Sequence, residues 1–182
     1  MARVLDTALD LGAPNVRVWA PFGIEPGSPR TGEVVDALGA VAAGAAARDL
    51  TVGLEFHGGT LTATRASAVG LLDAVAAPNL STYWQPPYWL AARAPAEDAT
   101  EAAGLGARLS HVHVYEWAGP EDRRPLAQGT ERWRAVFQAL HASPAPERPA
   151  PRVAMLEFVA DDDPRALLRD AQTLHDLLGE PR

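Results

Sequence analysis

The chain has 182 residues, no cysteine and a formal net charge of −7, from 16 basic and 23 acidic side chains. That charge excludes a protein that grips a nucleic-acid backbone, which needs a dominant basic surface. The lack of cysteine excludes a disulfide scaffold, a thiolate zinc site and a cysteine nucleophile, and fits a reducing compartment.

In chain order, residues 1–11 read as a helix with Val4, Leu5, Ala8 and Leu11 on one side. Five β-like runs follow: 15–20 (NVRVWA), 51–57 (TVGLEFH), 80–85 (LSTYWQ), 109–117 (LSHVHVYEW) and 152–159 (RVAMLEFV). Each is rich in Val, Leu or aromatics and bounded by Gly, Pro or Asn. Helical stretches at 31–49, 63–76, 96–107 and 130–142 lie between them, with Thr130 as the expected N-cap of the last. The final helix, 164–178, starts from Asp163 as N-cap and Pro164 at the first turn, and Gly179 ends it. Leu167, Leu168, Ala171, Leu174 and Leu178 form its expected buried stripe. Strict β/α alternation predicts an α/β fold with a parallel sheet and covering helices, as one domain over 1–182. The Pro-rich stretch 143–151 reads as a surface loop.

No run of about 18 apolar residues is present, so no membrane span is expected. Residues 1–12 (MARVLDTALDLG) lack the apolar core of a signal peptide. A cytoplasmic location, with no membrane or nucleic-acid partner, is the expectation.

In a parallel α/β protein the chemistry sits at the C-terminal ends of the strands. Run two ends Glu55-Phe56-His57, run three ends Tyr83-Trp84-Gln85, run four carries His111 and His113, and run five ends Glu157-Phe158. Strand periodicity puts Glu55 with His57, and His111 with His113, on shared faces. Any one of these residues would read as half of an ion pair or a satisfied core histidine. Four at matching strand ends, spaced by 30, 28 and 44 residues, read as a site. Glu55, Gln85, His113 and Glu157 make an oxygen- and nitrogen-rich set suited to Mn²⁺, Mg²⁺, Co²⁺ or Zn²⁺. Trp19, Trp84, Trp89 and Trp117 stand near strand ends, where aromatic faces either stack on a sugar or cap the core. His57, His111 and Arg123 are further candidates for substrate contact. Gly104-Leu105-Gly106 lacks a third glycine and precedes a strand, so it is no dinucleotide fingerprint. No phosphate loop, G-x-S-x-G elbow or H-E-x-x-H is present.

The segments LEFHGGTLT (54–62), NLSTYWQPP (79–87), LSHVHVYEW (109–117), RRPLAQGTERW (123–133) and AMLEF (154–158) resemble the sugar phosphate isomerase/epimerase superfamily, the xylose isomerase-like TIM barrels. The resemblance implies a divalent metal held by Glu55, Gln85, His113 and Glu157. Gln85 stands where many members carry Asp, a departure that weakens cation affinity. It also implies that Glu55 and Glu157 move a proton beside a carbonyl through an enediolate, in an isomerase or epimerase acting on a sugar, sugar phosphate or polyol. The alternatives are an inosose-type dehydratase and an inactive truncated barrel that only binds a ligand or partner. A complete barrel needs roughly 250 residues and eight βα units. Five are legible, corresponding to units four to eight. The expectation is therefore a partial barrel that forms a homo-oligomer or lacks an N-terminal half.

Overall fold

A computed structural model describes residues 1–90, 93–119, 121–147 and 151–179. Part of the Pro-rich stretch, 148–150, lies outside them. The element order is α1 (Ala2–Asp10), β1 (Asn15–Val18), α2 (Thr31–Ala46), β2 (Thr51–Leu54), α3 (Arg65–Val75), β3 (Leu80–Trp84), α4 (Pro95–Ala103), β4 (Leu109–Val114), β5 (Glu116–Gly119), β6 (Asp122–Arg124), α5 (Thr130–Ala142), β7 (Val153–Leu156) and α6 (Pro164–Leu178). Five strands form one parallel sheet in the order β1-β2-β3-β4-β7. Each expected run and helix is thus matched by an element of the same type, one β and one α per unit.

The chain folds as two compact units. The first comprises Met1–Trp84, Ala107–His111 and Ala145–Val153. Its core joins Leu5 of α1, Val34 and Leu38 of α2, Leu71 and Leu72 of α3, and Val16, Val52 and Leu54 of the strands. β2 is buried at all four positions, as a parallel strand covered on both faces must be. The sheet also needs a glycine at 53. A Cβ there would lie 2.0 Å from the ring of Tyr83, which is itself buried. Thr64 caps α3 through a capping box with Ser67, which sets where that helix begins.

The second unit comprises Gln85–Gly106, Val112–Pro144 and Ala154–Arg182. Here α4 and α5 enclose Asp98, which is 1% exposed. The guanidinium groups of Arg93 and Arg132 each stand 3.6 Å from its carboxylate. Trp133 is fully buried, and its indole N–H donates to the Tyr115 carbonyl at 3.0 Å.

Four expectations are corrected. The fourth run stops as a strand at Val114, and Glu116–Gly119 instead turns back to pair antiparallel with Asp122–Arg124. Thr130 is the first helical residue rather than a cap, because the 3-10 turn Leu126–Gly129 runs straight into α5. In α1 only Leu5 and Ala8 are buried, while Val4 and Leu11 are exposed. In α6 the buried face is Ala166, Asp170 and Leu174, and Leu167, Leu168 and Leu178 are exposed. The reason is polar: the Asp170 carboxylate turns inward to accept the buried Leu126 N–H at 3.0 Å. That backbone donor would be costly to leave unpaired. The Asp163 cap, Pro164 and left-handed Gly179 of α6 match the expectation.

Two stability measurements follow. Gly53→Ala forces the Tyr83 ring aside and should cost about 1–3 kcal/mol in urea unfolding. Gly39→Ala, inside α2 with open space around it, should instead stabilise by roughly 0.5–1 kcal/mol. Burial pushes the Asp98 carboxyl above its usual range, against the pull of Arg132 and Arg93 and with Glu101 and Glu97 adding to the rise. Glu116 is raised in the same way, with Arg132 and Arg124 opposing. A raised carboxyl binds more protons folded than unfolded, so its contribution is largest at low pH and is lost as pH rises through the folded value. The Asp98→Asn variant should therefore lose less unfolding free energy than the parent between pH 4 and 7.

Candidate functional site

In the first unit Glu55 directly follows β2, where the Val18 carbonyl accepts its backbone N–H at 2.9 Å. Its own carbonyl accepts the Thr62 hydroxyl at 2.6 Å, and the Thr60 hydroxyl stands 2.9 Å from that of Thr62. The segment after the strand is thus tied down by buried threonines, and the Glu55 side chain is held at 1% exposure. A buried carboxylate needs compensation. Arg17 provides it at 3.0 Å, and the indole N–H of Trp19 donates to the same oxygen. Arg17 and Trp19 lie two residues apart on β1 and the residue just beyond it, so strand periodicity points both the same way. The parity of NVRVWA carried that signal, but the sequence reading took only Trp19 from it.

Trp19 is 47% exposed. It meets Phe22 edge-on at 5.4 Å and His57 at 5.1 Å between ring centroids. The His57 Nδ1 stands 2.9 Å from the Gly58 carbonyl. Phe22, half exposed beside these rings, was missed because it lies in a loop without periodic pattern. His111 is buried, stacked on Tyr83 at 4.2 Å, with Nδ1 2.9 Å from the Ser110 hydroxyl. The Tyr83 hydroxyl donates to Asn15, and burial pushes this phenol up to about 12. Trp84 is wholly enclosed. Trp84 and His111 are thus both buried, His111 against Tyr83. The alternation that aims every other residue inward also buries the lower ones.

In the second unit three of the expected ligands meet. The Nδ1 of His113 lies 3.0 Å from the Gln85 amide oxygen and 3.1 Å from a Glu157 carboxylate oxygen. Gln85 and His113 are buried, and the Glu157 side chain is 18% exposed. One Nδ1–H can serve only one of two such acceptors well. Adjacent ligands of an octahedral cation at about 2.1 Å stand roughly 3.0 Å apart. The spacing and chemistry of this donor set therefore fit a divalent cation. The Gln85 oxygen is neutral, so Glu157 is the one charged oxygen donor of these three.

Trp117, Phe158 and Arg123 form a second wall in this unit. The Trp117 and Phe158 rings lie 4.8 Å apart, and the Arg123 guanidinium sits 5.3 Å and 4.8 Å from their centroids. Arg123 also pairs with Asp162. Tyr115 donates its hydroxyl to the Pro86 carbonyl at 2.6 Å, and burial raises its pKa well above the ordinary phenol value.

No helix among the described residues is long and apolar enough to cross a membrane. No curated protein sequence matches the chain. Solved structures of similar fold do. A D-tagatose 3-epimerase-like protein superposes with a TM-score of 0.70 at 16% identity, over 98% of this chain and 67% of that one. The probable 3-DHS dehydratase AsbF of Bacillus anthracis gives 0.70 at 19% identity, over 99% and 68%. A xylose isomerase-like TIM barrel protein from Mycobacterium smegmatis, solved with magnesium, gives 0.68 at 13%, over 98% and 65%. The chain spans about two thirds of the length of these structures, and at such identities the likeness is one of fold. A sequence profile described as xylose isomerase-like TIM barrel matches residues 1–172. With five parallel βα units in place and nearly every residue inside that match, the chain belongs to the xylose isomerase-like TIM barrel family.

Proposed function

We propose that the chain is, or forms part of, a divalent-metal-dependent isomerase or epimerase acting on a sugar, sugar phosphate or polyol. The observation that carries this reading is the His113 Nδ1, set at about 3 Å from both Gln85 and Glu157. By the family resemblance Glu55, Gln85, His113 and Glu157 would hold the cation, Gln85 through its neutral amide oxygen. Manganese or magnesium suits the oxygen-rich set best; zinc or cobalt would also be accepted. When bound, the cation would polarise the oxygens of a hydroxycarbonyl substrate.

The chain's own groups do the proton work. Glu55 and Glu157 are the two carboxylates of the set. One removes the proton from the carbon beside the carbonyl, and the other returns one. Arg17 and Trp19 orient the Glu55 carboxylate. The Trp19–Phe22–His57 rings offer a partly exposed face against which the C–H side of a sugar packs. Trp117 and Arg123 offer a second. A cytoplasmic setting and a small-molecule substrate belong to the same proposal.

The fold shared with a probable dehydratase supports a second reading, in which the abstracted proton is not returned and water is lost instead. Product analysis separates the two: a stereoisomer of unchanged mass against a product 18 Da lighter, roughly one water.

Elemental analysis and calorimetry with Mn²⁺ test the site. The purified chain should take up about one ion, and His113→Ala should weaken binding by at least ~100-fold. Glu55→Gln and Glu157→Gln should each lower turnover by about 100-fold or more, and abolish exchange of the substrate α-hydrogen with D₂O. Undiminished exchange in either variant would remove that residue from proton transfer. No uptake of any of the four metals would overturn the reading.

A further inference from the structure

Glu55 is 1% exposed, and one of its carboxylate oxygens, Oε2, carries two partners of different kind. The indole N–H of Trp19 donates to it and brings no net charge. The Arg17 guanidinium stands 3.0 Å away and brings a full positive charge. Burial makes that charge necessary, since a carboxylate taken out of water is stable only beside a cation or several donors. The nearby hydroxyls do not replace it. Tyr83 donates to Asn15 at 2.7 Å, and Thr62 donates to the Glu55 carbonyl rather than to its carboxylate. Arg17 itself is not enclosed. Its side chain is 45% exposed, and it belongs to β1, the outermost strand on its side of the sheet. A long arginine stem rooted there lets the head turn to water. The guanidinium also lies 5.9 Å from the centre of the Trp19 ring, so an aromatic face is at hand when it turns.

Any cation that draws on Glu55 meets Arg17 first. Two positive charges on one carboxylate repel each other, most strongly where water is excluded. The neutral indole is not repelled. The guanidinium is therefore the partner that gives way. We propose that Arg17 is a positioning residue that serves as a built-in counter-ion: it holds the Glu55 carboxylate in place, and it leaves for solvent as a divalent cation is taken up at Glu55. Metal uptake is then an exchange of guanidinium for metal, and Arg17 sets the affinity of the centre below that of its ligands alone. The inference rests on the metal-centre reading and adds to it a residue outside the ligand set that controls it.

The test is calorimetry with Mn²⁺ at pH 8 on the parent, Arg17→Met and Arg17→Lys. Arg17→Met keeps an apolar stem and removes the charge, and it should bind Mn²⁺ about tenfold more tightly than the parent. Arg17→Lys restores a cation and should return the affinity to within about threefold of the parent. In urea with EDTA, Arg17→Met should unfold at a lower midpoint than the parent, and saturating Mn²⁺ should raise its midpoint by more. A merely structural role for Arg17 would weaken metal binding on its removal rather than tighten it. If Arg17→Met fails to fold, Arg17→Gln, which keeps a neutral N–H donor for Glu55, should show the same tightening. Equal or weaker Mn²⁺ binding in the uncharged variants, or equal tightening in Arg17→Lys, would overturn the exchange and leave the metal-centre reading standing. No metal uptake by the parent would overturn both.

Discussion

The structure depends on the parallel strand ladder. β1, β2 and β3 align Val18 with Leu54 and Leu54 with Thr82, so their C-terminal ends emerge on the same side. Each helix returns the chain to the opposite end, and the next strand repeats the direction. Side chains far apart in sequence, such as Arg17 and Glu55, are thereby brought to hydrogen-bonding distance. The cost is burial of whole strands, which limits β2 to small and apolar residues and requires Gly53 under the Tyr83 ring.

Against that apolar background every buried charge needs an answer, and the chain has several. Glu55 is met by a guanidinium and an indole N–H. Asp170 is met by a backbone N–H. Glu157 and Gln85 converge on one imidazole nitrogen, an arrangement that suits a cation better than a single proton. Asp98 is answered least completely, with two guanidinium groups just beyond hydrogen-bond reach beside a pocket.

Gln85 bears on the same balance. An amide oxygen coordinates but brings no charge, so in the proposed centre the carboxylates would have to supply it. Pairing Glu55 with Arg17 sets a competition: the carboxylate that a cation would draw on is already engaged by a cation of the protein. Affinity at such a centre depends on how readily Arg17, whose side chain is 45% exposed, gives way to solvent.

Much of this was legible in the sequence. The β/α alternation, the strand-end residues Glu55, Gln85, His113 and Glu157, and the Asp163–Pro164–Gly179 punctuation of α6 follow from local periodicity and capping chemistry. Hydrophobicity misled in α6, which turns Asp170 inward to accept the buried Leu126 N–H and leaves Leu167 and Leu168 exposed. The β5–β6 hairpin escaped the sequence because Glu116 and Trp117 continue the alternation of the fourth run, while Asp122–Arg124 is a short polar segment that reads as a loop. The sequence by itself determined the order of elements and which residues stand at strand ends, because both depend on spacing along the chain. Only the tertiary structure decided which of those residues meet, which histidine and tryptophan are packed away, and where Asp98 lies beside its two arginines. Those outcomes rest on contacts between segments dozens of residues apart, which no local pattern encodes.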